Sequence, residues 1–243
     1  MEHNILFGKK WAVCGDSFTN GDFKGAPEGE PLFSDGPFAG QRRTYANLIA
    51  ARNGMTVQNL AANGMTLATP PGGAFLNTFT GGLYRTIDAD ADYITLYFGI
   101  NDSHHRLKST GDDGEVKTGT ILLGAPDDDT PATFCGAWNV ALEYLMTNHP
   151  FAHVGILVSN GCETDDYRLA TIDAARRWGV PYLDLNGDGR APVMGRSTNP
   201  AILPSVRDFR TRLFAVDPPR NTHPNARAHE YESAFIESWL RTL

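Results

Sequence analysis

The feature that most constrains the fold is the run from Tyr93 to Phe98, in which the side chains are apolar almost without interruption. A strand exposed on one face would alternate apolar and polar residues, whereas this run presents apolar side chains to both faces. Such a strand is typical of the centre of a parallel sheet that helices cover on both sides. The run ends at Gly99, and the polar residues Asn101 and Asp102 follow it directly.

Other segments follow the same plan of strands separated by helices. Predicted strands comprise residues 11–14, 56–60, 153–159 and 180–185, and predicted helices comprise residues 44–53, 82–88, 133–147, 165–178 and 224–241. This alternation predicts right-handed crossovers and a parallel sheet of five strands. We expect one α/β domain over residues 1–243, with long loop insertions near 20–43, 66–81 and 103–130. The stretch between 185 and 224 shows no clear pattern and is predicted to be irregular.

Composition excludes several classes of protein. The chain has 243 residues, of which 41% are hydrophobic and 20% charged, as in an ordinary globular protein. A formal net charge of -7 argues against general binding to nucleic acid or to an anionic membrane. No apolar run is long enough to span a bilayer.

The amino terminus lacks a basic segment followed by an apolar core, so the sequence shows no signal peptide. We therefore expect a cytoplasmic protein, or a secreted one if a leader has been removed. Cys14, Cys135 and Cys162 are scattered and odd in number, which does not fit a metal-binding spacing. We expect Cys14 to be a small buried apolar residue, and we expect neither a metal nor a cofactor. The sequence leaves the oligomeric state open.

Small or polar residues follow three of the predicted strands, at Ser17, Gly64 and Asn101, and His223 precedes the last helix. Because parallel strands end at one edge of a sheet, these residues are expected to converge there. Ser17 alone is better explained as a helix N-cap. Acyl transfer, however, needs a nucleophile, a base and oxyanion donors. Ser17 could be the nucleophile and His223 the base. The oxyanion donors could be the backbone N–H groups of Ser17 and Gly64 and the side-chain amide of Asn101.

Four blocks carry a family resemblance: Gly15-Asp16-Ser17, Asn59 to Gly64, Gly99 to Asp102, and His223-Pro224-Asn225. Their order and intervals resemble the signature blocks of the SGNH (GDSL-type) hydrolases. The resemblance implies a flavodoxin-like three-layer α/β/α sandwich with a central, mainly parallel five-stranded sheet. It also implies serine esterase chemistry through an acyl-enzyme, with the roles given above and no cofactor.

One position departs from the pattern of that family, which has an aspartate three residues before the histidine. Arg220 stands there, and an arginine cannot accept the imidazole N–H. Asp217 could be the third member, or a backbone carbonyl could hold His223 in a Ser–His dyad. Pro218 and Pro219 favour a stiff, extended approach and therefore the dyad.

Three more polar residues lie beside the blocks and are candidate substrate contacts: Asp16, Asp102 and His104. Each also has a structural explanation. Asp16 could cap backbone N–H groups, Asp102 could secure the loop at Asn101, and His104 could be an exposed loop residue.

The resulting hypothesis is a serine hydrolase that cleaves carboxylic esters, with a short acyl ester or an acetylated carbohydrate as the expected substrate. The long polar loops with aromatic residues favour a small acyl group on a sugar over a long lipid chain. The alternative is a non-catalytic carbohydrate-binding or assembly protein that retains the scaffold, motivated by the missing aspartate.

Overall fold

The computed structural model describes residues 4–73, 77–107, 119–162, 164–186 and 202–243. One sheet has five parallel strands: β1 (Lys10–Gly15), β2 (Thr56–Ala61), β3 (Tyr93–Tyr97), β4 (His153–Val158) and β5 (Tyr182–Asp184). Their order across the sheet is β2-β1-β3-β4-β5. The predicted five-stranded parallel sheet is confirmed, and β3, whose side chains are apolar on both faces, is its middle strand.

Helices cover the sheet on both faces. In chain order they are α1 (Ser17–Asn20), α2 (Tyr45–Asn53), α3 (Ile100–Leu107), α4 (Phe134–Asn148), α5 (Asp165–Trp178), α6 (Pro204–Phe214) and α7 (Ala226–Leu240). Trp11 and Val13 of β1 pack in one apolar cluster with α2 and α7. Ala12 and Cys14 point the opposite way, into a second cluster with α4 and α5. Alternate side chains of β1 thus contribute to the apolar cores on the two faces of the sheet. The three-layer α/β/α architecture is confirmed.

Local sequence explains where several helices begin and end. The hydroxyl of Thr44 accepts from the backbone N–H of Asn47 at the start of α2, and Gly54 closes that helix in the left-handed conformation. Gly179 closes α5 in the same way. The side chain of Asn225 caps α7 by accepting from the N–H of Ala228. This last cap matters for the site because it lies two residues after His223.

Two predictions about irregular segments were wrong. Residues 103–107 were assigned to a loop insertion, but they continue α3, which begins at Ile100. The stretch before the last helix contains α6 and an antiparallel hairpin of β6 (Ala215–Asp217) and β7 (Asn221–Pro224). These strands are too short to produce a recognisable alternation in sequence. The predicted helix near 82–88 is a short 3-10 helix, Leu83–Thr86.

The three cysteines are free thiols and all are buried, as expected for Cys14. Within the described ranges, no helix combines the length and the apolar character that crossing a membrane requires.

Candidate active site

Three neighbouring strands bring the predicted site residues to one edge of the sheet. Gly15, at the end of β1, pairs with Ala61 of β2 and with Tyr97 of β3. Ser17 follows β1 after two residues, and Gly64 and Asn101 follow the other two strands at similar intervals. The predicted convergence at the carboxyl ends of the strands is therefore present.

Ser17 and His223 are in direct contact. The distance from Ser17 Oγ to His223 Nε2 is 2.8 Å, within hydrogen-bond range. Ser17 is the first residue of α1, and Asp16 caps this helix. His223 lies on β7, and its ring packs against that of Phe18 with centroids 5.4 Å apart. A serine and a histidine 206 positions apart in the chain thus form the pair that nucleophilic catalysis requires.

The residue behind His223 is Asn221. Its Oδ1 accepts from the backbone N–H of His223 at 3.0 Å and lies 2.7 Å from Nδ1 of the ring. Its Nδ2 donates to the carbonyl oxygen of Lys24 at 2.8 Å. Because the amide nitrogen is committed to a carbonyl, the amide oxygen must face the imidazole, and Nδ1 must carry the proton. Nε2 of the neutral ring is then unprotonated and faces the hydroxyl of Ser17.

Asp217, the alternative third member, is placed differently. Its carboxylate forms an ion pair with Arg220, with Nε and Oδ2 2.9 Å apart. The side-chain amide of Asn221, which was not among the expected partners, lies within hydrogen-bond distance of Nδ1. Residues two apart in a strand share a face, so Asn221 and His223 are expected to lie side by side once β7 is known.

Gly64 and Asn101 are linked through the residue that follows the glycine. Nδ2 of Asn101 donates to the carbonyl oxygen of Met65 at 2.9 Å. Gly64 has φ of +75°, and a Cβ built on it would meet no described atom within 4 Å. The left-handed backbone explains the glycine.

Asp16 and Asp102 are completely buried, so the structure does not support the expected contact of either side chain with a substrate. Asp16 Oδ1 accepts from the N–H of Phe18 at 2.9 Å. Asp102 accepts from the N–H groups of Leu67 at 3.1 Å and Ala68 at 3.0 Å. Both carboxyls thus hold the backbone around the site, as their structural explanations predicted.

Burial also changes the acidity of these two carboxyls. Desolvation raises the pKa of Asp16 to about 7, with the charge of Asp102 adding to the increase and the hydrogen bond from Phe18 opposing it. Desolvation raises the pKa of Asp102 to about 6, while its backbone hydrogen bonds lower it. Oδ2 of Asp16 has no hydrogen-bond partner among the described residues. At neutral pH the turn that carries Ser17 therefore includes a carboxyl close to its titration point.

A cavity of about 170 Å³ opens beside the Ser17–His223 pair. His104, one of the candidate substrate contacts, is half-buried in its wall. The other residues in its wall are Phe18, Ile100, Asn101, Gly161, Thr222 and His223. Across the described parts of the chain, no group of three or more His, Cys, Asp or Glu side chains is arranged to hold a metal ion.

Several solved structures share this fold. A protein described as a GDSL-like lipase from Bacteroides uniformis is 14% identical over 97% of both chains, with a TM-score of 0.61. An acetyl xylan esterase from Butyrivibrio proteoclasticus is 14% identical over 98% of this chain and 64% of that chain, with a TM-score of 0.59. A family two carbohydrate esterase from Clostridium thermocellum is 15% identical over 97% and 64% of the respective chains, with a TM-score of 0.56.

No protein-family model matches the chain, and no curated protein matches it either. The fold shared with these structures is the one that the resemblance of the four sequence blocks implies. The chain has the three-layer α/β/α fold of the GDSL-like, or SGNH, hydrolases.

Proposed function

We propose that this protein is a serine esterase of the SGNH type, which hydrolyses carboxylic esters through an acyl-enzyme. The observation that carries the proposal is the hydrogen-bonded chain from Lys24 O through Asn221 and His223 to Ser17 Oγ. It presents an unprotonated Nε2 to the serine hydroxyl, which is the arrangement a general base needs.

In the first half of the reaction, His223 Nε2 takes the proton of Ser17 as Oγ attacks the ester carbonyl carbon. Nδ1 keeps its proton and donates a hydrogen bond to Oδ1 of Asn221 throughout. The imidazolium then gives the Nε2 proton to the oxygen of the departing alcohol, which leaves an acyl group on Ser17. A neutral amide stabilises the imidazolium less than a carboxylate would, but it holds the same tautomer and ring orientation.

The oxyanion formed on the carbonyl oxygen needs donors at the same edge of the sheet. The backbone N–H groups of Ser17 and Gly64 are two of them. Asn101 supplies the third, since one of the two hydrogens on Nδ2 is bonded to Met65 O and the other is left for the substrate. In the second half, a water molecule deprotonated by His223 attacks the acyl carbon and releases the acid.

We propose a short acyl ester as substrate, carried on a carbohydrate. Two of the similar structures are described as an acetyl xylan esterase and a family two carbohydrate esterase, which supports this choice. The proposal is tested by comparing the rates at which the protein hydrolyses a panel of acetylated sugars and a panel of esters of longer acids. Release of acetate from the sugars at rates well above those for the longer esters is the expected result, and a preference for long-chain esters would contradict it.

Hydrolysis of 4-nitrophenyl acetate by the wild type and by Ser17→Ala tests the esterase proposal itself. The exposed serine on α7 gives a matched control, Ser238→Ala. We expect turnover by the wild type and the control, and a loss of roughly a thousandfold or more in Ser17→Ala. Equal rates in all three proteins would show that Ser17 is not the nucleophile.

The alternative, a glycan-binding protein without turnover, was motivated by the missing aspartate. The hydrogen-bond contact of Asn221 with His223 weakens this reason, because a side chain other than an aspartate lies beside Nδ1 of the ring. It predicts glycan binding that His223→Ala leaves unchanged, with no ester hydrolysis by the wild type.

A further inference from the structure

The cavity beside Ser17 is small enough to select among acyl groups. An apolar cavity of roughly 150 Å³ holds one benzene molecule, or about six non-hydrogen atoms. The cavity here measures about 170 Å³, is partly open to solvent, and must also hold the carbonyl carbon and oxygens of the ester. Little space then remains inside it for a hydrocarbon chain.

The walls of this cavity differ in chemistry. Asn101, His104 and His223 form a polar side, while Phe18 and Ile100 form an apolar side together with the backbone of Gly161. The polar side contains the base and the proposed oxyanion donor. A hydrocarbon chain attached to the carbonyl is therefore best accommodated on the apolar side, because burying its methylene groups against polar atoms would contribute less binding free energy.

The apolar side is closed by tight packing. A Cβ built on Gly161 would lie 3.0 Å from Cδ1 of Ile100 and 3.2 Å from Cζ of Phe18, so both side chains press against the glycine backbone. Only 7% of Ile100 and 7% of Phe18 remains exposed. The N–H of Gly161 donates to Ser159 Oγ at 3.0 Å, which fixes the turn after β4. The wall therefore cannot retreat without breaking these contacts.

We propose that Ile100, packed on Gly161 beside Phe18, limits the acyl chain of the substrate to about four carbons. This inference rests on the proposed function, because it assigns specificity to the same site. Ile100 is the better residue to vary, since the ring of Phe18 also contacts the ring of His223. Truncation to alanine removes the side-chain atoms beyond Cβ and lengthens the apolar side of the cavity.

The experiment measures kcat/KM for 4-nitrophenyl esters of two-, four-, six- and eight-carbon acids. For the wild type we expect a fall of about tenfold or more between the four- and six-carbon esters, since one methylene in a pocket changes selectivity by about 10- to 200-fold. In Ile100→Ala the ratio of the six-carbon to the two-carbon rate should rise about tenfold or more. Because this ratio is taken within one protein, partial unfolding of the variant does not change it.

Two further variants make the test independent of the folding of Ile100→Ala. Ile100→Val should shift the ratio in the same direction by a smaller factor, and Gly161→Ala, which pushes Ile100 and Phe18 towards the substrate, should lower the four-carbon rate relative to the two-carbon rate. Ile87→Ala is the control. Only 6% of Ile87 is exposed, so it is buried to about the same extent as Ile100, but it lies in another part of the fold. Its neighbour Asp88 contacts Gln58 on the edge strand β2. It should leave the chain-length profile unchanged.

An unchanged profile in Ile100→Ala and Ile100→Val, with active wild type, would overturn the role of Ile100 and leave the esterase proposal intact. Hydrolysis of none of the esters by the folded wild type would overturn the esterase proposal and this inference with it.

Discussion

Oδ1 of Asn221 lies 2.7 Å from Nδ1 of His223, and the same oxygen accepts the backbone N–H of His223 at 3.0 Å. The amide is oriented from behind by Lys24, whose carbonyl oxygen accepts from Nδ2. A neutral side chain two residues before the histidine thus takes the position at Nδ1 that a carboxylate holds in a Ser-His-Asp triad. The orientation of one amide determines which nitrogen of the base is free to accept the serine proton.

Removing that amide should slow catalysis without weakening substrate binding. In Asn221→Ala we expect kcat to fall roughly a hundredfold or more and KM to change little, because the ring loses its preferred tautomer and orientation. Steady-state kinetics with 4-nitrophenyl acetate provide the measurement. Asp217→Asn is the control, since Asp217 pairs with Arg220, and its kcat should stay within about twofold of the wild type. A large loss in the control with none in Asn221→Ala would assign the third position to Asp217.

Replacing the amide by a carboxylate should change the pH dependence. In Asn221→Asp a negative charge beside Nδ1 would stabilise the imidazolium, so the acidic limb of the kcat/KM profile should move to higher pH. The carboxylate would also face the carbonyl oxygen of Lys24, which now accepts a hydrogen bond, and this repulsion opposes any gain in rate. Profiles measured from pH 5 to 9 test the shift. Superimposable acidic limbs would show that residue 221 does not act through the ring of His223.

Gly64→Ala should reduce activity through the backbone alone. At φ of +75° an alanine costs about 1–2 kcal/mol of stability, and relief of that strain would turn the N–H away from the oxyanion. Gly179→Ala is a closely matched control, because its φ is +66° and a Cβ there also has no described neighbour within 4 Å. Both variants should lose similar stability in urea unfolding, but only Gly64→Ala should lose roughly a hundredfold in kcat. Equal activities would remove Gly64 from the oxyanion donors.

Asp16 should make the protein less stable as pH rises towards neutrality. Its pKa is about 7 in the folded chain against an ordinary value of 3.8, so the unfolded chain releases this proton first. Between about pH 4 and pH 7 the unfolded state therefore binds fewer protons, and the free energy of unfolding falls as pH rises. Asp102, with a pKa of about 6, contributes in the same direction.

The variant Asp16→Asn isolates the contribution of Asp16. Urea unfolding at pH 5 and pH 8 should show a smaller loss of stability in the variant than in the wild type, and a residual loss from Asp102. A loss of the same size in both proteins would mean that Asp16 does not titrate in this window.

Much of the fold could be predicted because β1 and β3 carry apolar residues on both faces, a pattern that few structures other than a covered parallel strand accommodate. The same reasoning placed Ser17, Gly64 and Asn101 at one edge. It failed for α6, where Val206 and Phe209 are exposed, as is the N-cap residue Leu203, so that their spacing does not mark a buried face.

Asn221 was missed for a different reason. Its partnership with His223 depends on a strand of only four residues, too short for a periodic pattern. The contact with Lys24 joins positions 197 residues apart and has no local signature at all. The residues that orient the base were therefore accessible only once the hairpin of β6 and β7 was known.

The most direct test of the proposed chemistry is covalent labelling with an alkyl phosphonate that mimics the tetrahedral intermediate, followed by mass mapping of the modified peptide. We predict one adduct, on Ser17, in the wild type, none in Ser17→Ala, and labelling slowed roughly a hundredfold or more in His223→Ala, because the hydroxyl then lacks its base. An adduct on another residue, or equal labelling of the wild type and Ser17→Ala, would contradict Ser17 as the nucleophile.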